Sequence, residues 1–201
     1  MPIDRIGGCT GVLLAGGRAS RLGGVPKGLL RVEGEPIAAR SLRLFASIFD
    51  ASMIVAGEGS PYRSMSAPVE ADRVPGKGAP GGVHAGLSAA ATEWIFAAAC
   101  DMPFLRAEPI RFLAARRQGA AAVLVRSGGR LQPLHAFWSR ACLPVLERML
   151  AEGNPSLLDL AAAVPVRVVE EAEWRAVDPD GRALENVNTP EDVERLDLAR
   201  G

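Results

Sequence analysis

The sequence has little of what marks secreted, zinc-binding or membrane proteins. It holds three cysteines, Cys9, Cys100 and Cys142, which are odd in number, far apart and never in a C-x-x-C pair. This spacing argues against a zinc site or a disulfide framework. The N-terminus lacks the apolar segment of a signal peptide, and no apolar run approaches the ~18 residues that cross a membrane. We therefore expect a cytoplasmic protein with no membrane partner.

An excess of charge is also missing. The 23 Lys and Arg residues balance 23 Asp and Glu residues, so the formal net charge at pH 7 is zero. This balance predicts neither a nucleic-acid-binding surface nor a polybasic membrane patch. Hydrophobic residues make up 48% of the chain, as in ordinary globular proteins. The length predicts one domain over residues 1–201, large enough to be stable without disulfides.

Apolar strand-like runs alternate with helical patterns along the chain. Strands are predicted at Val12–Ala15, Met53–Ala56, Ile95–Ala99, Ala122–Val125 and Val166–Val169. Helices are predicted after Pro36, at Gly82–Ala91, Pro109–Gln118 and Arg140–Glu152, and after Thr189 as N-cap. The alternation predicts a three-layer α/β/α fold around a mostly parallel sheet.

The stretch from Thr10 to Leu30, TGVLLAGGRASRLGGVPKGLL, is the most informative about function. An apolar run typical of a buried strand breaks at Gly16-Gly17 into a loop of glycines, arginines and Lys27. Glycines let a ligand approach the backbone N–H groups, so the loop suits a polyphosphate. Gly28 after the lysine excludes a Walker A motif, and the late helix start excludes the dinucleotide fingerprint. On composition alone, a solvated connection is an equal alternative.

An acidic residue is expected at the same edge of the sheet. Ligands of parallel α/β sheets bind beyond the carboxyl ends of the strands. This rule places the Gly16–Lys27 loop and Asp101, which follows the strand Ile95–Ala99, close to one another. A carboxylate at that position is a candidate ligand for Mg²⁺, which takes one or two carboxylates together with water and phosphate oxygens. The alternative is a carboxylate that only caps a loop or a helix.

The motif L-A-G-G-x-x-x-R-L-G-x-x-x-K-G-L-L resembles the signature loop of the nucleotidyltransferases, in particular the molybdenum cofactor guanylyltransferase family. Three later segments fit that family in order: A-A-C-D-M-P-F-L at 98–105, Q-P-L-H-A at 132–136 and N-V-N-T-P-E-D at 186–192. The resemblance implies a Rossmann-like nucleotidyltransferase fold with Mg²⁺ as cofactor. It also implies that GMP passes from GTP to the terminal phosphate of Mo-molybdopterin, with release of pyrophosphate. Molybdenum-cofactor delivery proteins are candidate partners.

The resemblance further implies roles for single residues. Catalysis is expected from Lys27 at the triphosphate, Arg21 at the departing pyrophosphate and Asp101 at the metal. The residues expected to bind the nucleotide are Leu14, Ala15, Gly16, Gly17, Lys27, Asp72, Gly82 and Asp101. Asn188, favoured over Asn186, is expected beside the metal. For Asp72 and the asparagines, ordinary turn bonding is the alternative; His84 and His135 are expected to be mainly structural.

Three departures from the family pattern touch the nucleotide side. Pro26 stands where many members have Asp, and Ala56 stands where many have an Asn near the ribose. The segment 82–86 reads GVHAG where GPLAG is usual. These changes leave three alternatives open. The enzyme could transfer another nucleotide such as CMP, or it could use another phosphorylated acceptor. The protein could also bind a nucleotide and deliver the cofactor without turnover. A Rossmann dehydrogenase is excluded by the missing fingerprint.

Overall fold

A central sheet of seven strands organises the chain over residues 5–16, 25–74 and 76–199, which the computed structural model describes. The strands are β1 (Ile6–Leu14), β2 (Arg31–Val32), β3 (Glu35–Pro36), β4 (Phe49–Ala56), β5 (Val69–Ala71), β6 (Trp94–Ala99), β7 (Ala122–Ser127), β8 (Arg130–Ser139) and β9 (Val166–Val169). The order in the sheet is β5-β4-β1-β6-β8-β7-β9, while β2 and β3 pair separately. All neighbours in the sheet are parallel except at β8, which runs antiparallel to β6 and β7. The predicted mostly parallel sheet is confirmed.

Helices cover both faces of this sheet. They are α1 (Ile37–Ile48), α2 (Gly78–Ala89), α3 (Ala107–Ala114), α4 (Leu143–Glu152), α5 (Leu157–Ala163), α6 (Glu171–Arg175) and α7 (Pro190–Arg195). One apolar cluster packs α1, α3 and α6 on the sheet, and a second packs α2, α4 and α5 on it. The predicted three-layer α/β/α arrangement is therefore confirmed. No helix in the described ranges is both long and apolar enough to span a bilayer.

Helix boundaries differ in places from those expected. The helix predicted at Gly82–Ala91 begins earlier, at Gly78, because tight packing outweighs the low helix propensity of G-A-P-G-G. A Cβ on Gly82 would lie 3.1 Å from Leu14 Cδ2, so the glycine lets the helix approach β1 closely. The helix predicted at Pro109–Gln118 spans Ala107–Ala114, and that predicted from Arg140 begins as a 3-10 turn before Leu143.

Several elements were not expected from the sequence, and β8 is the largest. Its Pro133 lacks an N–H group, and prolines are rare inside sheets. The pairing of β8 with β7 shifts between Val123 and Val125, and Trp138 Nε1 donates to the Pro133 carbonyl at 3.2 Å. This local irregularity accommodates the proline within a ten-residue strand. The short elements β5, α5 and α6 were also missed.

The carboxyl ends of four parallel strands lie side by side. In spatial order, Asp72 follows β5, Glu58 comes shortly after β4, Gly16 follows β1 and Asp101 follows β6. The reversed strand β8 begins at this same edge, since its later residue Ala136 pairs with Ala97 of β6. This edge holds the candidate site.

Candidate active site

A cluster of three side chains forms at the end of β6. The ammonium of Lys27 donates to Asp101 Oδ2 at 2.8 Å and to Asn188 Oδ1 at 2.7 Å. The Lys27 and Asp101 side chains are 23% and 17% exposed, so the pair is shielded from bulk water on most sides. The structure thus brings together three residues that the sequence analysis had placed at one site. Their roles stay predictions.

The C-terminal segment carries Asn188 into this cluster. The Val187 N–H donates to the Asp101 carbonyl at 2.9 Å, which ties the segment to the end of β6. Asp192 Oδ2 accepts from the Asn188 N–H at 2.9 Å and from the Thr189 N–H at 3.0 Å, within the capping box of α7. The Asn188 N–H and then Arg195 lower the pKa of Asp192 to about 2, so this cap is charged at neutral pH. The predicted N-cap at Thr189 is confirmed.

Asn186 has a different role. Its amide donates to the Leu184 carbonyl at 3.1 Å, a turn contact two residues away. Asn188 instead contacts Lys27, 161 positions earlier in the chain. Only the second of the two asparagines therefore reaches the cluster.

The cluster offers oxygen atoms of the kind that Mg²⁺ prefers. Asp101 Oδ1 is buried and has no hydrogen-bond partner among the described residues, although its other oxygen is paired with Lys27. An unpaired buried carboxylate oxygen is costly and therefore suits an incoming cation. Across the described ranges, no group of three or more His, Cys, Asp or Glu side chains could hold a metal. A metal here would therefore need water and ligand oxygens as well.

A cavity of about 650 Å³ lies beside the cluster at the same edge. Its apolar walls include Leu14, Val55 and Leu134, and its charged lining residues within the described ranges are Glu58 and Asp72. The volume is in the range usual for small-molecule sites, which are mostly apolar with a few polar groups. Ala99 also lines the cavity and lies two residues before Asp101, so the cavity and the cluster share the end of β6.

Most residues predicted to bind the nucleotide lie at this cavity or at the cluster. Leu14, Gly16, Asp72 and Gly82 line the cavity. The Ala15 N–H donates to the Val55 carbonyl at 2.8 Å, which extends the parallel ladder by one residue. Gly17 and Arg21 lie outside the described residues, so the structure does not test their predicted roles.

Asp72 makes a turn bond and also lines the cavity, so both alternatives considered for it stay open. Its Oδ1 accepts from the Val74 N–H at 3.0 Å, which is the expected turn bond. The same residue faces the first turn of α2, since a Cβ on Gly81 would lie 3.0 Å from Asp72 Oδ1. Because Asp72 also lines the cavity, turn bonding does not remove it from the site.

Some lining residues were missed by the sequence analysis. Glu58 follows the β4 strand end, so the rule that ligands bind beyond the carboxyl ends could have found it. Leu134 belongs to the Q-P-L-H-A segment, but its place in the cavity depends on the unexpected strand β8.

The two histidines do not join the cluster. His135 is fully buried between the rings of Phe96 and Trp174, and burial lowers its pKa to about 4. His84 Nε2 lies 3.6 Å from Glu147 Oε1, between α2 and α4. Both positions agree with the structural roles expected for them.

This arrangement, a sheet edge with a Lys–Asp pair beside a nucleoside-sized cavity, is that of a nucleotidyltransferase. The sequence profile described as the MobA-like NTP transferase domain matches residues 11–170. The chain therefore belongs to this family, and the enzyme class predicted from its motifs is confirmed.

Curated relatives and solved structures agree with this placement. A molybdenum cofactor guanylyltransferase from Desulfosudis oleivorans is 34% identical over 191 residues, covering 94% of this chain and 95% of the relative. One from Pseudomonas entomophila is 35% identical over 189 residues, covering 91% and 95%. The crystal structure of molybdopterin-guanine dinucleotide biosynthesis protein A from Archaeoglobus fulgidus superposes with a TM-score of 0.81 at 23% identity, covering 93% and 96%.

The same fold carries other nucleotidyltransferases. A 2-C-methyl-D-erythritol 4-phosphate cytidylyltransferase from Thermus thermophilus superposes with a TM-score of 0.65 at 17% identity, covering 92% of this chain and 95% of that one. At this identity the likeness concerns the fold alone. The choice of base must therefore be argued from the side chains of the site.

Proposed function

We propose that this chain transfers GMP from GTP to the terminal phosphate of Mo-molybdopterin. An oxygen of the acceptor phosphate forms a bond to the α-phosphorus of GTP, and the bond from that phosphorus to the β-phosphate oxygen breaks. The products are molybdopterin guanine dinucleotide and pyrophosphate. The observation that carries the proposal is the Lys27–Asp101–Asn188 cluster at the same sheet edge as a cavity of about 650 Å³. The names of the curated relatives supply the acceptor.

In this proposal the cluster acts on the phosphates. Phosphoryl transfer depends mainly on positioning and on charge stabilisation, and the acceptor phosphate is itself the nucleophile. Lys27 places a fixed cation where the triphosphate would enter from the cavity. Asp101 keeps that ammonium in place through the 2.8 Å contact, so little reorganisation is needed when the substrate binds.

We further propose Asp101 and Asn188 as the residues that hold Mg²⁺. The unpartnered Asp101 Oδ1, together with the Asn188 Oδ1 that also accepts from Lys27, would supply oxygen donors that fit this ion. The metal would neutralise phosphate charge and orient the triphosphate, a general contribution of Mg²⁺ in such reactions. Since the protein offers one carboxylate and one amide, ion and nucleotide should bind as a unit.

The charges lining the cavity support guanine as the base. A carboxylate only accepts hydrogen bonds, so Glu58 and Asp72 favour a base that presents donors. Guanine presents its N1–H and its N2 amine along one edge, whereas cytosine has a single exocyclic amine beside acceptors. We propose that Glu58, shortly after β4, takes this guanine edge. It would thereby supply a polar contact two residues after Ala56, which stands where many family members have an Asn near the ribose.

Thermal unfolding with different nucleotides tests the choice of base. With Mg²⁺ present and nucleotide at about 100 times its Kd, GTP should stabilise the protein by about 2.7 kcal/mol. CTP at the same concentration should give a much smaller shift. A clear shift with CTP and none with GTP would overturn the guanylyl proposal in favour of cytidylyl transfer. GTP binding without pyrophosphate release, when Mo-molybdopterin is supplied, would indicate a delivery protein.

A further inference from the structure

Tyr62 is the single tyrosine of the chain, and it is buried beneath the site. It lies in a 3-10 turn, Pro61–Ser64, in the connection from β4 to β5. Ser60 caps this turn, since its Oγ accepts from the Tyr62 N–H at 3.3 Å. The side chain is packed into the core face that holds α1, and the residue is 3% exposed. A buried tyrosine hydroxyl usually has a specific partner.

The hydroxyl of Tyr62 contacts the chain neighbours of both members of the ion pair. Its oxygen accepts from the Gly28 N–H at 3.2 Å, and the group donates weakly to Cys100 Sγ at 4.0 Å. Gly28 directly follows Lys27, and Cys100 directly precedes Asp101. One side chain therefore joins the turn that carries the ammonium to the strand end that carries the carboxylate.

The contact with Tyr62 requires a glycine at position 28. A Cβ at this position would lie 2.8 Å from the Tyr62 hydroxyl oxygen and 3.2 Å from Ala38 Cβ. Both distances are shorter than ordinary van der Waals contact, so a larger residue would push the turn off the tyrosine. The glycine in K-G-L-L is thus required by the approach of Tyr62 to the backbone.

We propose that Tyr62 is a positioning residue for nucleotidyl transfer. Its hydroxyl fixes the Lys27 turn against the end of β6, so that Lys27 meets Asp101 and Asn188 at 2.8 and 2.7 Å. Tyr62 is not one of the residues that line the cavity, and it acts through the backbone of Gly28. The kinetic part of this inference rests on the proposed function, whereas the structural part concerns the Lys27 side chain alone.

The test compares Tyr62→Phe with Thr10→Val. The first removes only the hydroxyl and keeps the ring. The second removes a hydroxyl from the buried Thr10–Thr92 pair, whose oxygens lie 2.8 Å apart in another part of the fold. Both variants lose one hydroxyl group from a buried residue, so Thr10→Val controls for general destabilisation. Gly28→Ala is a second variant aimed at the same contact, should Tyr62→Phe fail to fold.

Two readouts separate positioning from stability. In steady-state assays we expect Tyr62→Phe to lower kcat about tenfold, because one well-placed interaction is lost. The KM for GTP should stay nearly constant. Independently of turnover, the chain has two lysines, Lys27 and Lys77, so ¹⁵N-lysine NMR should give two assignable ammonium signals. The Lys27 ammonium protons should exchange with water faster in Tyr62→Phe than in the wild type. In Thr10→Val their exchange rate should be unchanged.

Unaltered Lys27 exchange in Tyr62→Phe, or equal effects in the two variants, would overturn the inference. A fall in kcat without faster exchange would also overturn it, because the hydroxyl would then act by another route. If the wild-type enzyme fails to transfer GMP, the proposed function fails, but the NMR comparison still decides the role of Tyr62.

Discussion

The two ends of the site differ in how their polar groups are satisfied. At the cluster end, Lys27 already bonds Asp101 and Asn188 at 2.8 and 2.7 Å. At the cavity end, Glu58 makes no hydrogen bond or ion pair with any other described residue, and the walls include Leu14 and Val55. The protein's own contacts thus hold in place the charges that we propose for catalysis. The cavity end is instead a preformed shape, where Asp72 is bonded to the Val74 N–H while Glu58 is available to a ligand.

This difference determines how each end should respond to substitution. An exposed ion pair contributes at most about 1 kcal/mol, but removing one partner of a largely buried pair leaves the other charge unsatisfied. The Lys27 and Asp101 side chains are mostly shielded, so single changes at this pair should have large effects. The cavity is bounded by many apolar contacts, so the loss of one lining group should alter selectivity more than rate.

The largest effect is expected for Asp101→Ala. The change removes the partner of Lys27 and the proposed metal ligand, so turnover should fall by roughly 10²–10³-fold or more, as for other groups that stabilise transition-state charge. The fold should survive, because Asp101 accepts the Val187 N–H through its backbone carbonyl. Steady-state rates and circular dichroism check both expectations. Asp50→Asn, which alters a carboxylate at the amino end of β4, is the control. Near-normal activity in Asp101→Ala would remove the metal assignment.

A smaller loss is expected for Lys27→Ala. Without the ammonium, the triphosphate loses one fixed cation, and turnover should fall by at least ~10-fold, about 1.4 kcal/mol of transition-state stabilisation. Lys77→Ala is the matched control, because this second lysine donates to the Gly153 carbonyl rather than to the cluster. Rate measurements at saturating GTP and Mg²⁺ make the comparison. Equal rates in the two variants would show that the cluster end does not require its cation.

The smallest effect is expected for Glu58→Gln at the cavity end. The amide presents a donor and an acceptor where the carboxylate presented only acceptors, so the contact to the guanine N2 amine should weaken. The ratio of kcat/KM for GTP to that for ITP, which lacks this amine, should fall by up to about tenfold, the low end for a base contact. Glu70→Gln in β5, outside the cavity lining, should leave the ratio unchanged. If Glu58→Gln instead lowered the preference for GTP over 2′-deoxy-GTP, Glu58 would be assigned to the ribose rather than to the base.

The sequence predicted the parts of the site that follow from local patterns. The apolar runs before Gly16 and Asp101 marked β1 and β6, and the edge rule then placed their following residues together. The Thr189-Pro190 pair marked the start of α7, because capping residues act locally. The strand β8 was missed because Pro133 and its polar start obscured the pattern.

What the sequence could not give depends on distant contacts. Val187 reaches the Asp101 carbonyl and brings its neighbour Asn188 to the cluster, whereas Asn186 bonds the Leu184 carbonyl. Tyr62 is separated from Gly28 by 34 positions, and nothing in its local pattern points to that contact. The apolar cavity likewise forms only when β1, β4 and the first turn of α2 pack together.

The wide sequence separation of Lys27 and Asn188 has a consequence for the folding of the newly made chain. The two side chains meet across 161 positions, so the chain must be synthesised past Asn188 before the cluster can form. Bringing residues so far apart in sequence together costs conformational entropy. Contacts within the sheet offset this cost once the sheet has assembled. A nascent chain would therefore carry Lys27 and Asp101 early, yet the three-residue cluster would be completed only near the end of folding.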